Sequence, residues 1–212
     1  MPVGETMPEG YSLFYTNHGN VRKTEWKEFD VAKNSYKVIN LKDGEKVIGI
    51  ENEIEDQHLV FVTKQGLVVH LAKADCNPTT RNSGATKHIT LNDGDEAIFI
   101  GQVETSGDLL FVSDKGYAKR VPIGKEFKIN NRYNKGVTGF PLNEKSGEKL
   151  VFAGYVHANY NIVIKVSDDY LSQFGTNNIP RLERTSQGKP MVRGKVNIPV
   201  VYIYNDDINN GY

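Results

Sequence analysis

The chain has a single cysteine, Cys76, in 212 residues. That excludes an internal disulfide framework and fits a reducing compartment. No apolar run approaches the ~20 residues that a membrane-spanning helix needs, and the N-terminus lacks the apolar core of a signal segment. Helical spacing of apolar residues is not sustained over a dozen positions anywhere, so long helices are not expected. Motifs that carry chemistry are just as scarce. There is neither a Walker loop nor a GxGxxG. The five histidines, His18, His58, His70, His88 and His157, are scattered. No Ser or Cys sits in a nucleophile elbow, so each histidine is expected at the surface or at a strand end. Cys76 stands apart from other metal-ligand types, and the acidic run Glu51, Glu53, Glu55, Asp56 reads as a solvated linker rather than a hard-cation site. Catalysis, a metal and a cofactor are therefore not expected in this chain.

Net charge is also missing, with 26 basic against 26 acidic residues. The balance conceals a split. Residues 1–108 carry 11 Lys/Arg against 17 Asp/Glu, and residues 109–195 carry 15 against 7. A polyanion is drawn to the second half and not to the first.

What the chain does have is a repeated hairpin. In Leu109–Gly136 the run Leu109-Leu110-Phe111-Val112 predicts a strand buried on both faces. Ser113-Asp114-Lys115-Gly116 is turn chemistry, and Tyr117-Ala118-Lys119-Arg120-Val121 returns as a second strand ending at Pro122. Leu13–Lys23 and Leu59–His70 are earlier copies, and Ile162–Leu171 is a degenerate fourth in which Tyr170 takes the turn glycine's place. The turn glycines Gly19, Gly66 and Gly116 lie 47 and 50 residues apart. A loop follows each later hairpin, with Gly84, Gly136 and Gly188 spaced by 52 and 52 and with Arg81, Arg132 and Arg184 just before them. The first unit offers only Lys33-Asn34-Ser35 there. Then come an Asp-Gly or Ser-Gly turn and another apolar strand, so each unit supplies about four strands.

Four-stranded units repeated every fifty residues predict an all-β, propeller-like fold of about four blades. The alternatives are a β-solenoid or two unrelated β-sandwiches; irregular hairpins with a conspicuous loop at the same place in each copy favour blades. The expected division is an N-terminal arm at 1–10, blades near 11–57, 58–107, 108–159 and 160–204, and a polar tail at 205–212.

If blades are related by rotation, equivalent loops fall along one rim. Lys119, Arg120, Lys125, Arg132, Lys135, Arg181, Arg184, Lys189, Arg193 and Lys195 would then form a basic band, joined by Arg22, Lys23 and Arg81 from the first half. Such a band suits phosphates, bound without sequence preference and with strong salt dependence. The rival classes are a propeller that docks a protein through its acidic first half, and a hydrolytic propeller with carboxylates converging at the axis.

These motifs resemble the C-terminal domain of the A subunit of bacterial type IIA topoisomerases, DNA gyrase and topoisomerase IV. In that family an apolar strand and a turn ending in Gly lead to Lys-Arg, and a loop Arg-x-x-x-Gly follows. LLFVSDKGYAKRVPI with NNRYNKGV, and IPRLERTSQGK, look like later blades, and LVFVTKQGLVVHL with NSGATKHITLNDGD like a middle one. The likeness covers roughly residues 11–204. It implies a β-pinwheel whose blades exchange strands, and a basic outer rim around which duplex DNA bends to guide strand passage. The implied partners are double-stranded DNA, the ATPase B subunit of the parent enzyme, and the remaining domains of its A subunit. The resemblance implies no membrane and a place in the cytoplasm, at the nucleoid. Strand cleavage and ATP hydrolysis, the work of the ATP-dependent parent isomerase, would lie outside this chain, and Arg132-Tyr133 lacks the surroundings of a cleavage site. Gyrase carries a box close to QRRGGKG in its first blade. The nearest stretch here is degenerate, Asn130–Gly136 in the third unit, which favours topoisomerase IV. Four units are fewer than the usual five or six, so either further blades precede this sequence or the domain is a reduced one.

Overall fold

A computed structural model describes residues 8–32, 35–166, 170–192 and 202–205. Its strands, in chain order, are β1 (Tyr11–Thr16), β2 (Asn20–Glu25), β3 (Val47–Asn52), β4 (His58–Thr63), β5 (Leu67–Leu71), β6 (Thr86–Lys87), β7 (Ala97–Val103) and β8 (Asp108–Ser113). They continue as β9 (Tyr117–Pro122), β10 (Val137–Thr138), β11 (Leu150–Val156), β12 (Tyr160–Val166), β13 (Tyr170–Gly175), β14 (Lys189–Pro190) and β15 (Tyr202–Asn205). Helical structure among the described residues amounts to three short turns, Trp26–Phe29, Ile123–Glu126 and Thr176–Asn178.

The expected hairpins form where the apolar runs and turn glycines predict them. β1–β2, β4–β5 and β8–β9 are antiparallel pairs, and Gly19, Gly66 and Gly116 take φ of 71°, 81° and 73° at their turns. Only glycine enters that left-handed region without cost. The fourth copy differs from the sequence reading. Tyr170 opens β13 opposite Val166, and residues 167–169 lie outside the described residues.

The count of about four strands per unit holds for the second to fourth units, with three described in the first, but the sheets do not follow the unit boundaries. The sheets run β3-β1-β2-β6, β7-β4-β5-β10, β11-β8-β9-β14 and, among the described residues, β15-β12-β13. In the first three, the strand at the β2, β5 or β9 edge comes from the following unit. Among the described residues, each unit after the first thus builds three strands of its own sheet and lends a two-residue strand to the sheet before it. The lent segment docks on the turn glycine: Ile89 N–H donates to the Gly19 carbonyl (3.4 Å), Phe140 N–H to that of Gly66 (3.1 Å) and Met191 N–H to that of Gly116 (2.9 Å).

Neighbouring sheets stack face to face, and three apolar cores lie between them. Leu13, Tyr15 and Val21 meet Leu59, Phe61 and Val69; Val60, Val62 and Val68 meet Leu109, Phe111 and Val121; Leu110, Val112 and Ala118 meet Ile162 and Ile164. Alternate residues of one strand therefore serve two different cores, which is why β4 and β8 read as unbroken apolar runs. Removing that surface from water stabilises by roughly 25 cal/mol per Å².

Docking of the lent strand makes the turn glycines doubly constrained. A Cβ on Gly66 would collide with the Phe140 carbonyl, whereas one on Gly94, at a similar φ of 71°, would meet nothing within 4 Å. Gly94→Ala is expected to lose about 1–2 kcal/mol, the left-handed penalty alone. Gly66→Ala is expected to lose at least about 1 kcal/mol more, because the next unit's strand must also shift. Urea unfolding of the two variants checks this; equal losses would show that the docking contributes nothing.

Candidate nucleic-acid interface

Because a lent strand forms one edge of each of the first three sheets, the loop that precedes it lies at that edge too. The three loop arginines share one geometry. Arg81 Nη1 donates to the Lys37 carbonyl (2.9 Å), Arg132 Nη2 to that of Lys87 (2.6 Å) and Arg184 Nη1 to that of Thr138 (3.3 Å). Each acceptor belongs to the corresponding region of the preceding unit, so each of these arginines bridges back to the unit before its own. Arg132 Nη1 also donates to the Asp75 carbonyl (2.9 Å). Two of the guanidiniums sit over tyrosine rings, Arg81 over Tyr36 at 5.2 Å and Arg132 over Tyr133 at 5.1 Å. Their described bonding partners are carbonyl and amide oxygens, and none forms an ion pair among the described residues. Their charge is held in place but not cancelled.

Tyr133 shows how tightly one such loop is defined. It is 58% exposed and adopts φ 66°, rare for a residue with a side chain. Its N–H donates to the His88 carbonyl (2.7 Å) and its own carbonyl accepts from Thr90 Oγ1 (2.8 Å), which offsets the strain. Lys135 is exposed on this loop and Lys189 on β14. Lys87, exposed on β6, joins them and was not foreseen: a lone lysine in a two-residue strand has no pattern around it.

Other expected rim cations are placed differently. Lys119 is 0% exposed and points into the protein, where Nζ donates to the carbonyls of Glu183 (3.0 Å), Arg184 (2.7 Å) and Ser186 (2.7 Å). Burial lowers its pKa to about 7; Glu126 pulls it back up and Arg184 adds to the fall. Arg22 is 1% exposed, lies 4.3 Å over the Phe14 ring and donates through Nη1 to the carbonyls of Arg81 (2.5 Å) and Ser83 (3.2 Å). Desolvation lowers its pKa to about 10, which leaves it charged at neutral pH. Neither side chain reaches the surface, so the expectation that they touch a ligand on the rim is corrected. The reason is register: Arg22 stands opposite Phe14 and Lys119 opposite Phe111, both on covered faces.

Arg120 and Lys23 are corrected for a second reason, since each is paired. Arg120 contacts the buried Asp108 (3.3 Å), which also binds Arg181 (2.9 Å), and Lys23 pairs with Glu53 (2.5 Å). Arg181 nevertheless keeps its side chain 55% exposed. Lys125 is 70% exposed, with Glu126 at 3.6 Å and Glu183 at 4.0 Å as neighbours, and screening by water leaves such pairs little strength. Arg193 and Lys195 lie outside the described residues. The structure therefore brings Arg81, Arg132, Arg184, Lys87, Lys135 and Lys189 to equivalent edges, with Lys125 and Arg181 exposed beside the Arg184 loop, and takes Arg22, Lys23, Lys119 and Arg120 away from them.

Two histidines expected at the surface or at strand ends are interior instead. His70, within β5, donates from Nδ1 to the Phe127 carbonyl (2.8 Å), and its Nε2 lies 2.7 Å from His58 Nδ1. His88 is 0% exposed and donates from Nδ1 to the Thr86 carbonyl (2.8 Å), while its Nε2 is buried without a partner. Among the described residues no three His, Cys, Asp or Glu side chains gather as a metal-binding group. No helix among them is long and apolar enough to cross a membrane.

Residues 13–52, 57–104 and 107–156 match the family described as DNA gyrase C-terminal domain, beta-propeller. The A subunit of DNA gyrase from Escherichia coli K12 is 26% identical over 196 residues, which cover 91% of this chain and 22% of that protein. Its counterpart in Staphylococcus epidermidis is 22% identical over 188 residues, 87% of this chain and 21% of that one. The chain thus spans about a fifth of the length of these curated relatives. Among solved structures, the C-terminal domain of a DNA topoisomerase IV superposes with a TM-score of 0.86 at 18% identity, covering 97% of this chain and 65% of that one. A DNA gyrase A C-terminal domain superposes at 0.77 with 23% identity, covering 92% and 66%.

Proposed function

This chain belongs to the DNA gyrase C-terminal domain family, and we propose that it binds duplex DNA along the edge formed by its lent strands. The observation that supports this reading most is the repeated set of Arg81, Arg132 and Arg184, fixed by carbonyls and free of carboxylate partners among the described residues. Arg81 and Arg184 are held through Nη1 and Arg132 through Nη1 and Nη2; the N–H donors left over are available to phosphate oxygens, and an arginine already ordered loses less entropy on binding. Main-chain and lysine contacts at Lys87, Lys135 and Lys189 would extend the same track. Nothing in this track reads bases, so binding is expected to tolerate any sequence.

Bending 20–30 base pairs through 40–90° costs of order 1–6 kcal/mol. Several phosphate contacts along a curved rim offset that cost. In this reading the domain holds a DNA segment so that a type IIA topoisomerase, assembled from an ATPase B subunit together with the rest of the A chain, passes the right strand. The same proposal includes the division into an arm (1–10), four blades (11–57, 58–107, 108–159, 160–204) and a tail (205–212), and a place at the nucleoid. Catalysis is assigned to parts of the parent enzyme beyond this chain.

The direct test is DNA retardation at two salt concentrations with linear and supercoiled substrates. Log affinity is expected to fall with log salt at about −0.9 per phosphate contacted, and similarly for unrelated sequences. Absence of retardation even at low salt, together with nuclease-resistant capture of a protein by the acidic first half, would replace DNA with a protein partner.

A further inference from the structure

On the reading that the rim holds DNA, we propose that the buried cations Arg22 and Lys119 are positioning residues, each folding the next unit's loop so that its arginine faces outward. The two occupy equivalent places, three residues after the turn glycines Gly19 and Gly116. Both reach forward into the following unit and end on the main chain of the loop arginine itself. Arg22 takes the Arg81 carbonyl and Lys119 the Arg184 carbonyl, each with a further carbonyl two residues on, Ser83 or Ser186. Lys119 adds the Glu183 carbonyl.

Several carbonyl oxygens that converge on one point repel one another unless a cation or a set of donors sits between them. An ammonium offers three N–H donors for three carbonyls, and Arg22 meets both of its carbonyls through Nη1. The buried cation is thus the centre about which the loop is wound. With its carbonyls turned inward, the loop sends the arginine side chain the other way, where Arg81 and Arg184 each bridge to the preceding unit. Both cations also lie near an aromatic ring, Arg22 4.3 Å from the centroid of Phe14 and Lys119 5.3 Å from that of Phe140, which favours a charge there. The loop between is fastened a second time, since Arg184 N–H donates to Glu126 Oε2 (3.1 Å).

The middle unit has Val69 at this place and anchors its loop differently. His70, the next residue, donates to the Phe127 carbonyl and accepts at its own carbonyl from Asn130 N–H (2.6 Å). Arg132 then relies on two carbonyls of its own, those of Asp75 and Lys87. The positioning role therefore belongs to the first and third units.

The test is a double-variant cycle read by DNA retardation, with far-ultraviolet circular dichroism as the check of fold. Arg184→Gln is expected to weaken binding about eightfold at 0.1 M salt, the loss of one phosphate contact. Lys119→Met, although its side chain touches no DNA, is expected to weaken binding by a similar factor. Combining the two should add little, whereas Lys119→Met with Lys87→Gln should multiply. Lys119→Arg, which keeps the charge and the donors, is expected to restore binding. A folded Lys119→Met that binds as the parent does, or one whose loss multiplies with Arg184→Gln, overturns the proposal. If Lys119→Met does not fold, Lys119→Gln and the Arg22→Met, Arg81→Gln cycle carry the same expectations. If instead Arg184→Gln leaves DNA binding unchanged, the DNA reading fails separately. Hydrogen exchange at the amides of residues 183–187 still decides the positioning role, with faster exchange in Lys119→Met expected and unchanged exchange counting against it.

Discussion

Replacing Arg81, Arg132 and Arg184 together by glutamine is expected to lower DNA affinity about 500-fold at 0.1 M salt and to flatten the salt dependence by about 2.7 log units per log unit. Both figures follow from three phosphate contacts at about 0.9 counterions each. The arginines are chosen because each is held by a carbonyl of the preceding unit and lacks a carboxylate partner among the described residues. Glutamine retains an N–H donor for that carbonyl, so the loops keep much of their anchoring while the charge is lost. Lys42 and Lys46, exposed at the first unit's Asp-Gly turn and not part of the repeated set, form the comparison pair, and their replacement is expected to change binding less than about threefold, the scale of a screened charge that makes no phosphate contact. Retardation titrations of the two sets at four salt concentrations decide the matter. Equal effects would mean that general charge, not the repeated edge, attracts DNA.

Acid is expected to destabilise the fold by about 2 kcal/mol between pH 7 and pH 5 through His88 alone. Desolvation is the main cause that lowers its pKa, from 6.5 to about 4, with the bond to the Thr86 carbonyl opposing and Arg132 adding to the fall. In the window between those values the unfolded chain binds a proton that the folded one does not. Stability is therefore fully present above pH 6.5 and is lost as pH falls toward 4. Protonated Nε2 would be an N–H buried without an acceptor, since that atom has no partner in the neutral ring. His88→Asn removes the titration while keeping a donor toward Thr86. Its unfolding free energy in urea is expected to depend on pH less steeply between 5 and 7, by close to one proton. Identical slopes for parent and variant would contradict the assignment.

Much of this was legible in the sequence wherever the cause is local. A turn glycine after an apolar run demands a hairpin in any context, so Gly19, Gly66 and Gly116 mark theirs. Spacings of 52 residues between loop glycines likewise find the arginines that the structure places in equivalent bridges. Strand lending could not be read from residue pattern, because Thr86–Lys87, Val137–Thr138 and Lys189–Pro190 are too short for any periodicity; the resemblance to a known domain implied it instead. Lys119 and Arg120 look alike as adjacent cations, yet one is a staple within the interior and the other a partner of Asp108. What separates them is strand register against Phe111 and Leu110, and register is a property of two segments together. Conversely, β8 was expected to be covered on both faces, and its neighbour β9 shares that cover. A cation on the covered side of such a strand has no route to solvent.

The two-residue strands that cross from one unit to the sheet before it carry a mechanical meaning as well. A tug on any outer loop, such as a stiff duplex straightening against the protein, pulls on the donor unit through the covalent chain and on the recipient sheet through its hydrogen bonds. Among the described residues, none of the second to fourth units can be peeled away without stripping the margin from the sheet before it.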